Sequence, residues 1–381
     1  MNRTLDVAVL GAGIAGSSLA KSLADLGWET VLIDRMQFPR HKVCGEFLSP
    51  ESLTMLGSLG LRELVLSLQP RFINRARVIV GNGNALEIPL PGNAIGISRY
   101  SLDSAFQLAA VNSGVHMQTA TMISSVTPCE RGYAIETKQG EERKTLYVRA
   151  AIAAWGANCR SCLPGHRPNR KIMNTYIGVK THFSGIEMEP VVELYFFDGG
   201  YVGVSPIEGG IVNVAALLKR KAFQNNEKTI LGLIEAACRR NPKLYQKLAH
   251  AVPVPGTQAA VAPVELNRKP LEWDIIPHVG DAAIMIPPLC GDGMSMALRS
   301  SLLCAPLADS YLAGDISLSE WRHEYSRSIR RDFNGPLRWG RLLQWLFDIP
   351  VVPRLLVNAA HFAPELAFGM VNATRLKEFD P

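Results

Sequence analysis

The chain lacks any run of about eighteen consecutive apolar residues, which is the length that a membrane-spanning helix requires. It also lacks a stripe of clustered basic residues with interleaved aromatic rings. Its 40 Lys and Arg residues are dispersed and are nearly balanced by 34 Asp and Glu residues, for a net charge of +6. We therefore expect no transmembrane helix and no nucleic-acid partner. The first apolar run stops at Gly11 and gives no indication of a secretory leader.

Cysteine shows no paired pattern. Seven cysteines, an odd number, are spread along 381 residues, which does not fit a disulfide framework and favours a reduced, cytoplasmic setting. Cys159 and Cys162 form a CxxC, but a zinc site would need a second pair of ligands at suitable spacing, and the sequence offers none. We predict two ordinary thiols and no metal site. With 47% hydrophobic residues, the chain can still bury a sizeable core.

The first positive signal is a glycine motif near the start. Residues 6–10 read as a buried strand, Gly11-Ala12-Gly13-Ile14-Ala15-Gly16 follows, and residues 17–26 have the apolar spacing of a helix. A second strand ends at Asp34, about twenty residues after the motif, as in dinucleotide-binding folds. In such folds the glycines permit a tight turn, the approach of a pyrophosphate and close packing of helix on strand. The acid binds a ribose. The motif alone does not separate NAD from FAD.

A second glycine motif lies almost a full chain length away. Gly280-Asp281-Ala282-Ala283 reads as the end of a strand, two prolines follow, and Gly291-Asp292-Gly293 opens a helix. An aspartate at a strand end can accept hydrogen bonds from a polyol, and a glycine-started helix points unpaired N–H groups at a negative group. A reduced flavin has both a ribityl chain and a negative N1–C2=O edge. The two motifs together therefore predict FAD.

The pattern of elements predicts an α/β protein with a Rossmann-type, glutathione-reductase-like FAD-binding domain. An antiparallel β-sheet substrate domain is interleaved with it, and a helical C-terminus follows. Three β-rich runs over residues 191–197, 201–207 and 211–218 are separated by Gly-Gly turns and predict an antiparallel meander. The predicted FAD-binding domain comprises residues 1–70, 95–165 and 270–335. The sheet domain comprises residues 71–94 and 166–269, and the helical segment residues 336–381.

Three local expectations are more specific. Residues 101–112 are predicted to form a helix opened by a serine cap, with Arg99 two residues before it. Residues 115–126 are predicted to form one strand. From Asp315 onward the chain is predicted to be helical, punctuated by four prolines. They are Pro336, Pro350, Pro353 and Pro364.

With these motifs placed, the chain resembles, over residues 5–335, the flavoprotein superfamily of class A monooxygenases, geranylgeranyl reductases and flavin-dependent halogenases. Residues 280–295 match its pattern GDAAHxxxPxxGxGMN without a gap, with Ile284 for the histidine and Ser295 for the asparagine. Residues 97–103 are similar to its R-x-x-L-D step, and residues 42–48 to the loop that the reductases fold over the flavin. The motifs and the resemblance together imply an FAD site made of Gly11, Gly13, Ala15, Gly16, Asp34, Cys44, Gly45, Phe47, Arg99, Met122, Asp281, Gly291, Gly293 and Met294. For Asp292, two interpretations remain open: it orients the loop, or it lies in solvent.

Three departures from the superfamily matter. Trp155 stands where an aspartate tied to FAD and NADPH handling is expected, and no second Rossmann fingerprint follows. NAD(P)H is therefore expected only as a transient electron donor, with a flavin reductase or another electron-donor partner as the alternative. The reductases carry a Y-x-W-x-F-P motif, which corresponds to residues 201–206 here. The tyrosine and the proline are present, but Gly203 replaces the tryptophan and Ser205 replaces the phenylalanine. The halogenases use a lysine downstream of a G-E-x-x-x-P step. Residues 45–50 have the outline of that step, but no lysine follows it before residue 137.

We therefore predict an FAD-dependent monooxygenase that hydroxylates a hydrophobic small molecule, such as an aromatic, polyketide or isoprenoid compound of secondary metabolism. The resemblance implies that it acts through a flavin C4a-hydroperoxide. The alternatives are an FAD-dependent C=C reductase of the geranylgeranyl reductase type and a non-catalytic flavin-binding protein. No catalytic residue is assigned, because the flavin carries the difficult chemistry. Candidates for orienting or deprotonating a phenol, each of which also fits a structural place in a strand, are Tyr176, His182, Tyr195 and Tyr201.

The C-terminal part interleaves arginines with Trp and Leu residues between residues 327 and 347. Two interpretations remain open: a basic amphipathic surface that contacts a membrane, or helices that cover the core with solvated arginines. The expected location is the cytoplasm, with peripheral membrane contact as the open alternative.

Overall fold

Two β-sheets and a set of helices build the protein. The computed structural model describes residues 4–81, 84–157, 162–166, 176–223, 229–349, 351–362 and 364–377. The strands are β1 (Thr4–Leu10), β2 (Thr30–Ile33), β3 (Phe47–Leu48), β4 (Arg71–Ile79), β5 (Ala85–Gly96), β6 (His116–Gln118), β7 (Met122–Cys129), β8 (Gly132–Gln139), β9 (Glu142–Ala153), β10 (Tyr176–Ser184), β11 (Val191–Phe197), β12 (Gly200–Pro206), β13 (Val212–Lys219), β14 (Val252–Pro253) and β15 (Ala259–Val264). The helices are α1 (Ile14–Asp25), α2 (Ser52–Ser58), α3 (Arg62–Ser67), α4 (Arg99–Asn112), α5 (Ile230–Cys238), α6 (Pro242–Leu248), α7 (Gly293–Ala313), α8 (Leu318–Phe347), α9 (Val352–Phe362) and α10 (Pro364–Thr374).

The first sheet has the strand order β6-β2-β1-β9-β8-β7. Strands β6, β2, β1 and β9 run parallel, and β8 and β7 extend the sheet in antiparallel fashion. The carboxyl half of β1 and all of β2 are buried, as expected for parallel strands covered on both faces. Helix α1 packs against α4 and α7. This is the predicted Rossmann-type fold, and the predicted fold class is confirmed.

The second sheet has the order β14-β10-β13-β12-β11-β4-β5-β3, with β15 paired to β10. Strands β11, β12 and β13 form the predicted antiparallel meander. Residues directly opposite each other on neighbouring strands share a face of the sheet. His182 on β10 and Ser205 on β12 both lie opposite Asn213 on β13, so these three side chains form one row across the sheet.

Three local expectations were wrong. Helix α4 begins at Arg99, and its cap is Ser98, whose hydroxyl accepts a hydrogen bond from the Ser101 backbone N–H. The stretch 115–126 contains two strands, β6 and β7, because the chain turns at Ala120, whose φ is +51°. Pro336 lies inside α8 and does not interrupt it. In the part of the chain that the structure describes, no single helix is long and apolar enough to span a membrane. One sharply bent pair, α8 with part of α9, passes that test by length and composition.

Candidate functional site

A cavity of about 1190 Å³ is lined by residues of both sheets and of the C-terminal helices. One end is bordered by the two glycine motifs and by the loop over residues 40–47. The other end is bordered by β4, β5, β11 and β12 and by helices α8, α9 and α10. This single space therefore joins the predicted cofactor elements to the predicted substrate sheet.

The first glycine motif is shaped by close backbone packing. Gly11 has a φ of +122°, and a Cβ atom there would lie 2.4 Å from the Ala154 carbonyl oxygen. A Cβ atom on Gly16 would lie 1.8 Å from the Gly11 carbonyl oxygen, so α1 crosses the end of β1 in direct contact. Gly13 borders the cavity, and its nearest neighbour, Arg99 Nη2, is 3.8 Å from a built Cβ. The motif thus packs tightly on the protein side and is open on the cavity side.

Two helices begin at this cavity without a side-chain cap. The N-cap of α1 is Gly13 and that of α7 is Asp292, and at neither helix does a side-chain oxygen of the N-cap residue accept a hydrogen bond from the first-turn N–H groups. By contrast, α4, α5, α6 and α8 are capped by side chains. Uncapped helix N-termini present free N–H groups and a partial positive charge, which suit a pyrophosphate or an anionic ring edge. A built Cβ on Gly45 or Gly293 meets nothing within 4 Å. This open glycine cradle fits FAD.

Arg99 borders the cavity and is held in a fixed orientation. Its guanidinium makes two hydrogen bonds of 2.7 Å to Asp103, one helical turn along α4. Burial works against the charged form, but the Asp103 charge and hydrogen bonds outweigh it and raise the pKa of Arg99. From the same helix, Gln107 donates a 2.7 Å hydrogen bond to the Ala12 carbonyl oxygen, which ties α4 to the first glycine motif. The arrangement supports a permanent positive charge beside Gly13.

The predicted FAD residues divide into two groups. Those that line the cavity are Gly13, Ala15, Cys44, Gly45, Phe47, Arg99, Asp281, Gly291, Gly293 and Met294. Gly11 and Gly16 shape the turn from behind. Asp34 also stands outside the lining, and its carboxylate accepts 2.8 Å hydrogen bonds from the backbone N–H groups of Ala12 and Met36. Met122, the first residue of β7, is not among the lining residues either. The contacts of all fourteen residues with FAD stay predictions.

Behind the loop lies a buried charge cluster that we did not predict. Glu46, which has a φ of +54°, and Lys180 on β10 are both fully buried, and Lys180 Nζ is 2.8 Å from Glu46 Oε1. His182 Nε2 lies 2.6 Å from Glu46 Oε2, and the Arg99 backbone N–H donates to Glu46 Oε1 at 3.0 Å. Burial alone would raise the pKa of Glu46, but His182 and Lys180 lower it below its usual value. The cluster fastens the loop to the second sheet.

His41 links this cluster to the cavity. It borders the cavity, its ring stacks on Tyr100 with centroids 4.8 Å apart, and its Nδ1 is 3.4 Å from Lys180 Nζ. Burial and the neighbouring charge of Lys180 lower the pKa of His41 to about 4, so the imidazole is neutral at pH 7. The only sequence signal for the cluster was a lysine and a histidine inside an otherwise strand-like run, residues 176–184. Lys180 does not border the cavity, so it does not take the place of a halogenase lysine there.

A second ion pair that we did not predict holds the C-terminal segment against the second glycine motif. Asp292 is buried and pairs with Arg375, which follows α10. Its burial excludes the interpretation that Asp292 lies in solvent, and the interpretation that it orients the loop stays a prediction. Burial raises the pKa of Asp292 to about 7, against the opposing effect of Arg375. The Arg375 guanidinium also lies 5.9 Å from the centre of the Phe47 ring.

The four candidates for orienting a phenol have different surroundings. The Tyr176 hydroxyl bonds to Asp348, the Tyr195 hydroxyl donates to Glu193 at 2.8 Å, and His182 belongs to the buried cluster. These three are not among the cavity-lining residues, whereas Tyr201 is. Burial raises the pKa of Tyr201 well above its usual value of 10, so its hydroxyl stays protonated. The Tyr201 hydroxyl can therefore both donate and accept a hydrogen bond at the cavity wall.

The sheet end of the cavity is apolar. The side chains that border it there come mainly from β4, β5 and β11, and include Val78, Leu86, Ile88, Leu90, Leu194 and Phe196. Leu343 and Phe347 of α8 and Leu356 and Val357 of α9 complete this wall. For the CxxC, Cys159 lies outside the described residues and Cys162 is an exposed thiol. No group of three metal-binding side chains occurs among the residues that the structure describes.

Comparison with known proteins places these features in a family. Residues 4–327 match the family model described as FAD binding domain. The chain is 28% identical to menaquinone reductase of Mycolicibacterium smegmatis, over 99% of this chain and 92% of that protein. It is 26% identical to digeranylgeranylglycerophospholipid reductase 1 of Methanothermobacter thermautotrophicus, over 98% and 94%. It is also 26% identical to squalene monooxygenase SE2 of Panax ginseng, over 79% and 57%.

Among solved structures, the flavin-dependent brominase Bmp2 superposes with a TM-score of 0.80 at 19% identity, covering 98% of this chain and 93% of that chain. At this identity the likeness shows the fold alone. The predicted superfamily resemblance is confirmed. The relatives are flavin-dependent oxidoreductases, and they include both reductases and a monooxygenase.

Proposed function

The chain belongs to the FAD binding domain family, and on that premise we propose that it is an FAD-dependent monooxygenase that hydroxylates an apolar small molecule. The observation that carries the proposal is the single cavity that connects two uncapped helix N-termini to an apolar sheet face. A molecule held on that face would lie beside the predicted position of the flavin ring. A sugar or a small acid would find few partners among the aliphatic side chains there.

When bound, FAD supplies the redox chemistry. The protein's own contribution is binding, orientation and exclusion of water. The first turns of α1 and α7 would bind the negative parts of the cofactor, and Arg99 would add a permanent positive charge. The aliphatic wall excludes water from the reacting face, which protects reactive species from hydrolysis. The buried Glu46–Lys180 pair keeps the loop over residues 40–47 in one position.

Two positions in β12 favour hydroxylation over reduction of a prenyl chain. Gly203 and Ser205 both border the cavity, at the places where the reductase motif has tryptophan and phenylalanine. A built Cβ on Gly203 meets only ordinary contacts, Leu194 Cδ2 at 3.5 Å and the Ala215 oxygen at 3.8 Å. The small residues leave room for a ring-shaped head group beside the meander.

The second candidate is an FAD-dependent C=C double-bond reductase. Two relatives support it, because both are named as reductases. The match with this chain covers more than nine-tenths of the length of each. In this reaction a side chain near the cavity would have to supply a proton. The Cys44 thiol and the Tyr201 hydroxyl both border the cavity and are candidates for this role.

For the partners we propose NAD(P)H, bound transiently, or a separate flavin reductase as the source of electrons.

We also propose that the end of α8 and the start of α9 contact an anionic membrane surface from which an apolar substrate enters. Trp339 is 45% exposed and Trp345 60% exposed on the outside of the helix whose inner face borders the cavity. Within residues 333–362 three arginines accompany one acidic residue, Asp348, which gives this surface a positive balance.

Stopped-flow spectroscopy of the FAD-loaded protein tests the reaction. The protein is reduced anaerobically with NADH, NADPH or dithionite and then mixed with oxygen, with or without an alkylphenol. The proposal expects oxygen uptake coupled to a hydroxylated product. Reoxidation that a polyprenyl alkene accelerates without oxygen would replace the proposal with the reductase.

A further inference from the structure

The C-terminal segment brings an arginine to the cofactor end of the cavity. Arg375 follows α10 and lies outside residues 4–327, which match the family model. It borders the cavity, pairs with Asp292 and has its guanidinium 5.9 Å from the centre of the Phe47 ring. A Cβ atom built on Gly291 would lie 3.0 Å from Phe47 Cδ1, so the loop over residues 40–47 packs on the second glycine motif. Arg375 thus lies against both elements that the sequence predicts to hold the flavin ring.

The position of Arg375 is fixed from both sides. Before it, α10 packs against α8 and β5. After it, the Lys377 carbonyl oxygen accepts a 2.5 Å hydrogen bond from Arg299 of α7. Burial opposes the charged form of Arg375, but the charges of Asp292 and Glu51 outweigh it and raise the pKa of the guanidinium. A permanent cation therefore stands beside the start of α7.

Asp292 is placed where a carboxylate would work against an anionic ligand. Its side chain is fully buried at the first turn of α7, yet it accepts no hydrogen bond from that turn. An ionised carboxylate at this point would oppose the partial positive charge of the helix N-terminus. The same N-terminus is predicted to face the negative N1–C2=O edge of a reduced flavin. The site therefore needs a cation for Asp292, and Arg375 supplies one.

Two further titratable groups lie near Asp292, and neither supplies a positive charge. Burial raises the pKa of Asp292, and Glu51, the N-cap residue of α2, acts in the same direction. Burial also raises the pKa of Cys290, so that thiol stays neutral. Arg375 lowers the pKa of Asp292 against these effects. Among these groups, Arg375 is therefore the cation that compensates the carboxylate.

We propose that Arg375 is a positioning residue of the FAD site: it neutralises Asp292 and so leaves the N-terminus of α7 free to stabilise the negative edge of reduced flavin. The C-terminal segment, which lies beyond the matched family domain, is then part of the cofactor site as well as a wall of the substrate space. The proposal goes beyond the proposed reaction, because it holds for a monooxygenase and for a reductase alike.

The test is the affinity for reduced FAD relative to oxidised FAD, obtained from the midpoint potentials of bound and free flavin at pH 9. At this pH Asp292, whose pKa is about 7, is ionised in wild type. Asp292→Asn leaves the Arg375 charge uncompensated and should raise the ratio by about tenfold, the effect of one charge across a protein interior. Arg375→Met should lower the ratio by about threefold to tenfold, because a carboxylate is left without its cation. The double variant and Arg375→Lys should each stay within about twofold of wild type.

Arg327→Met is the control, because the Arg327 side chain is 74% exposed on α8 and does not border the cavity. It should change the ratio by less than about twofold. Loosening of the C-terminal segment alone would shift Asp292→Asn and Arg375→Met in the same direction, and that result overturns the proposal. A double variant that keeps the gain of Asp292→Asn also overturns it, since the gain would then not come from Arg375. So do shifts of less than about twofold in both single variants.

Discussion

Gly16 is the residue at which the fold tolerates the least change. A methyl group there would meet the Gly11 carbonyl oxygen at 1.8 Å, and neither backbone can move without opening the α1–β1 contact. The helix start that faces the cavity depends on this contact. At this position, therefore, the absence of a side chain is what allows α1 to begin in contact with the end of β1.

Gly16→Ala should destabilise the protein by about 2–3 kcal/mol and weaken FAD binding, because a clash with backbone can be relieved only by moving α1. Gly57→Ala is the matched control. Gly57 lies inside α2, and a built Cβ there meets nothing within 4 Å. The control should be neutral or stabilising by about 0.5–1 kcal/mol. Urea unfolding and FAD titration of both variants give the comparison, and equal behaviour of the two would contradict the account.

Lys180→Met should cost about 3–5 kcal/mol of unfolding free energy, since it leaves the fully buried Glu46 carboxylate without its cation. Adding Glu46→Gln removes the uncompensated charge and should recover part of the loss. A double-mutant cycle by denaturant unfolding measures this coupling. Additive effects of the two substitutions would show that the pair does not interact.

At the residue scale, the glycines and Arg99 could be predicted because their roles follow from spacing along the chain. The buried partners could not. Glu46 and Lys180 are 134 positions apart, and Asp292 and Arg375 are 83 apart. Their pairing depends on how the second sheet and the C-terminal helices fold back on the loop. Nothing in the local sequence around Arg375 distinguishes it from the solvated arginines of α8.

At the element scale, the C-terminal helices form part of the cavity wall. Helices α9 and α10 supply apolar residues to it, and Arg375 joins their end to the start of α7 through Asp292. The antiparallel meander was predictable from β-rich runs between Gly-Gly turns. The exact start of α4 and the split of β6 from β7 were not, because cap choice and a positive φ at Ala120 depend on tertiary contacts.

The ionisation of Asp292 should make stability depend on pH. Its pKa is about 7 in the folded protein, above the usual value of 3.8, so the folded state holds a proton that the unfolded state has lost between about pH 4 and 7. The stability that this residue contributes therefore falls as pH rises through that window, by about 1.4 kcal/mol per pH unit. Urea unfolding of wild type and Asp292→Asn across pH 4–8 isolates the effect. Asp292→Asn should gain stability relative to wild type as pH rises through this window, and a difference between the two that stays the same at every pH would contradict the account.

At the scale of the whole molecule, one sheet provides the cofactor elements, the other provides the apolar wall, and the cavity lies where they meet. The outer face of that wall carries exposed Trp339 and Trp345 among arginines. A substrate that leaves a bilayer could then enter the apolar end directly. The interleaved Arg and Trp pattern left membrane contact and a solvated cover of the core both open, and it gave no sign of the cavity behind this surface.

If this face contacts a membrane, the double variant Trp339→Ser/Trp345→Ser should bind phosphatidylglycerol vesicles about fivefold or more weakly than wild type. Wild type and variant should both bind neutral phosphatidylcholine vesicles only weakly. Tyr245→Ser is the control, since Tyr245 is 61% exposed on α6, which does not border the cavity. Vesicle co-sedimentation provides the measurement. Equal binding by the double variant and wild type would remove this surface from consideration.

The central claim, that this cavity holds FAD beside an apolar substrate space, is tested most directly by flavin titration. Purified protein, stripped and then titrated with FAD, should take up one equivalent with quenching of flavin fluorescence. Asp281 lies in a short 3₁₀ turn, Gly280–Ala282, and not at the end of a strand as the sequence predicted. Asp281→Ala should weaken that uptake by about tenfold or more, the loss of one charged hydrogen-bond acceptor. Wild-type protein that stays colourless and shows no saturable FAD uptake would contradict the account.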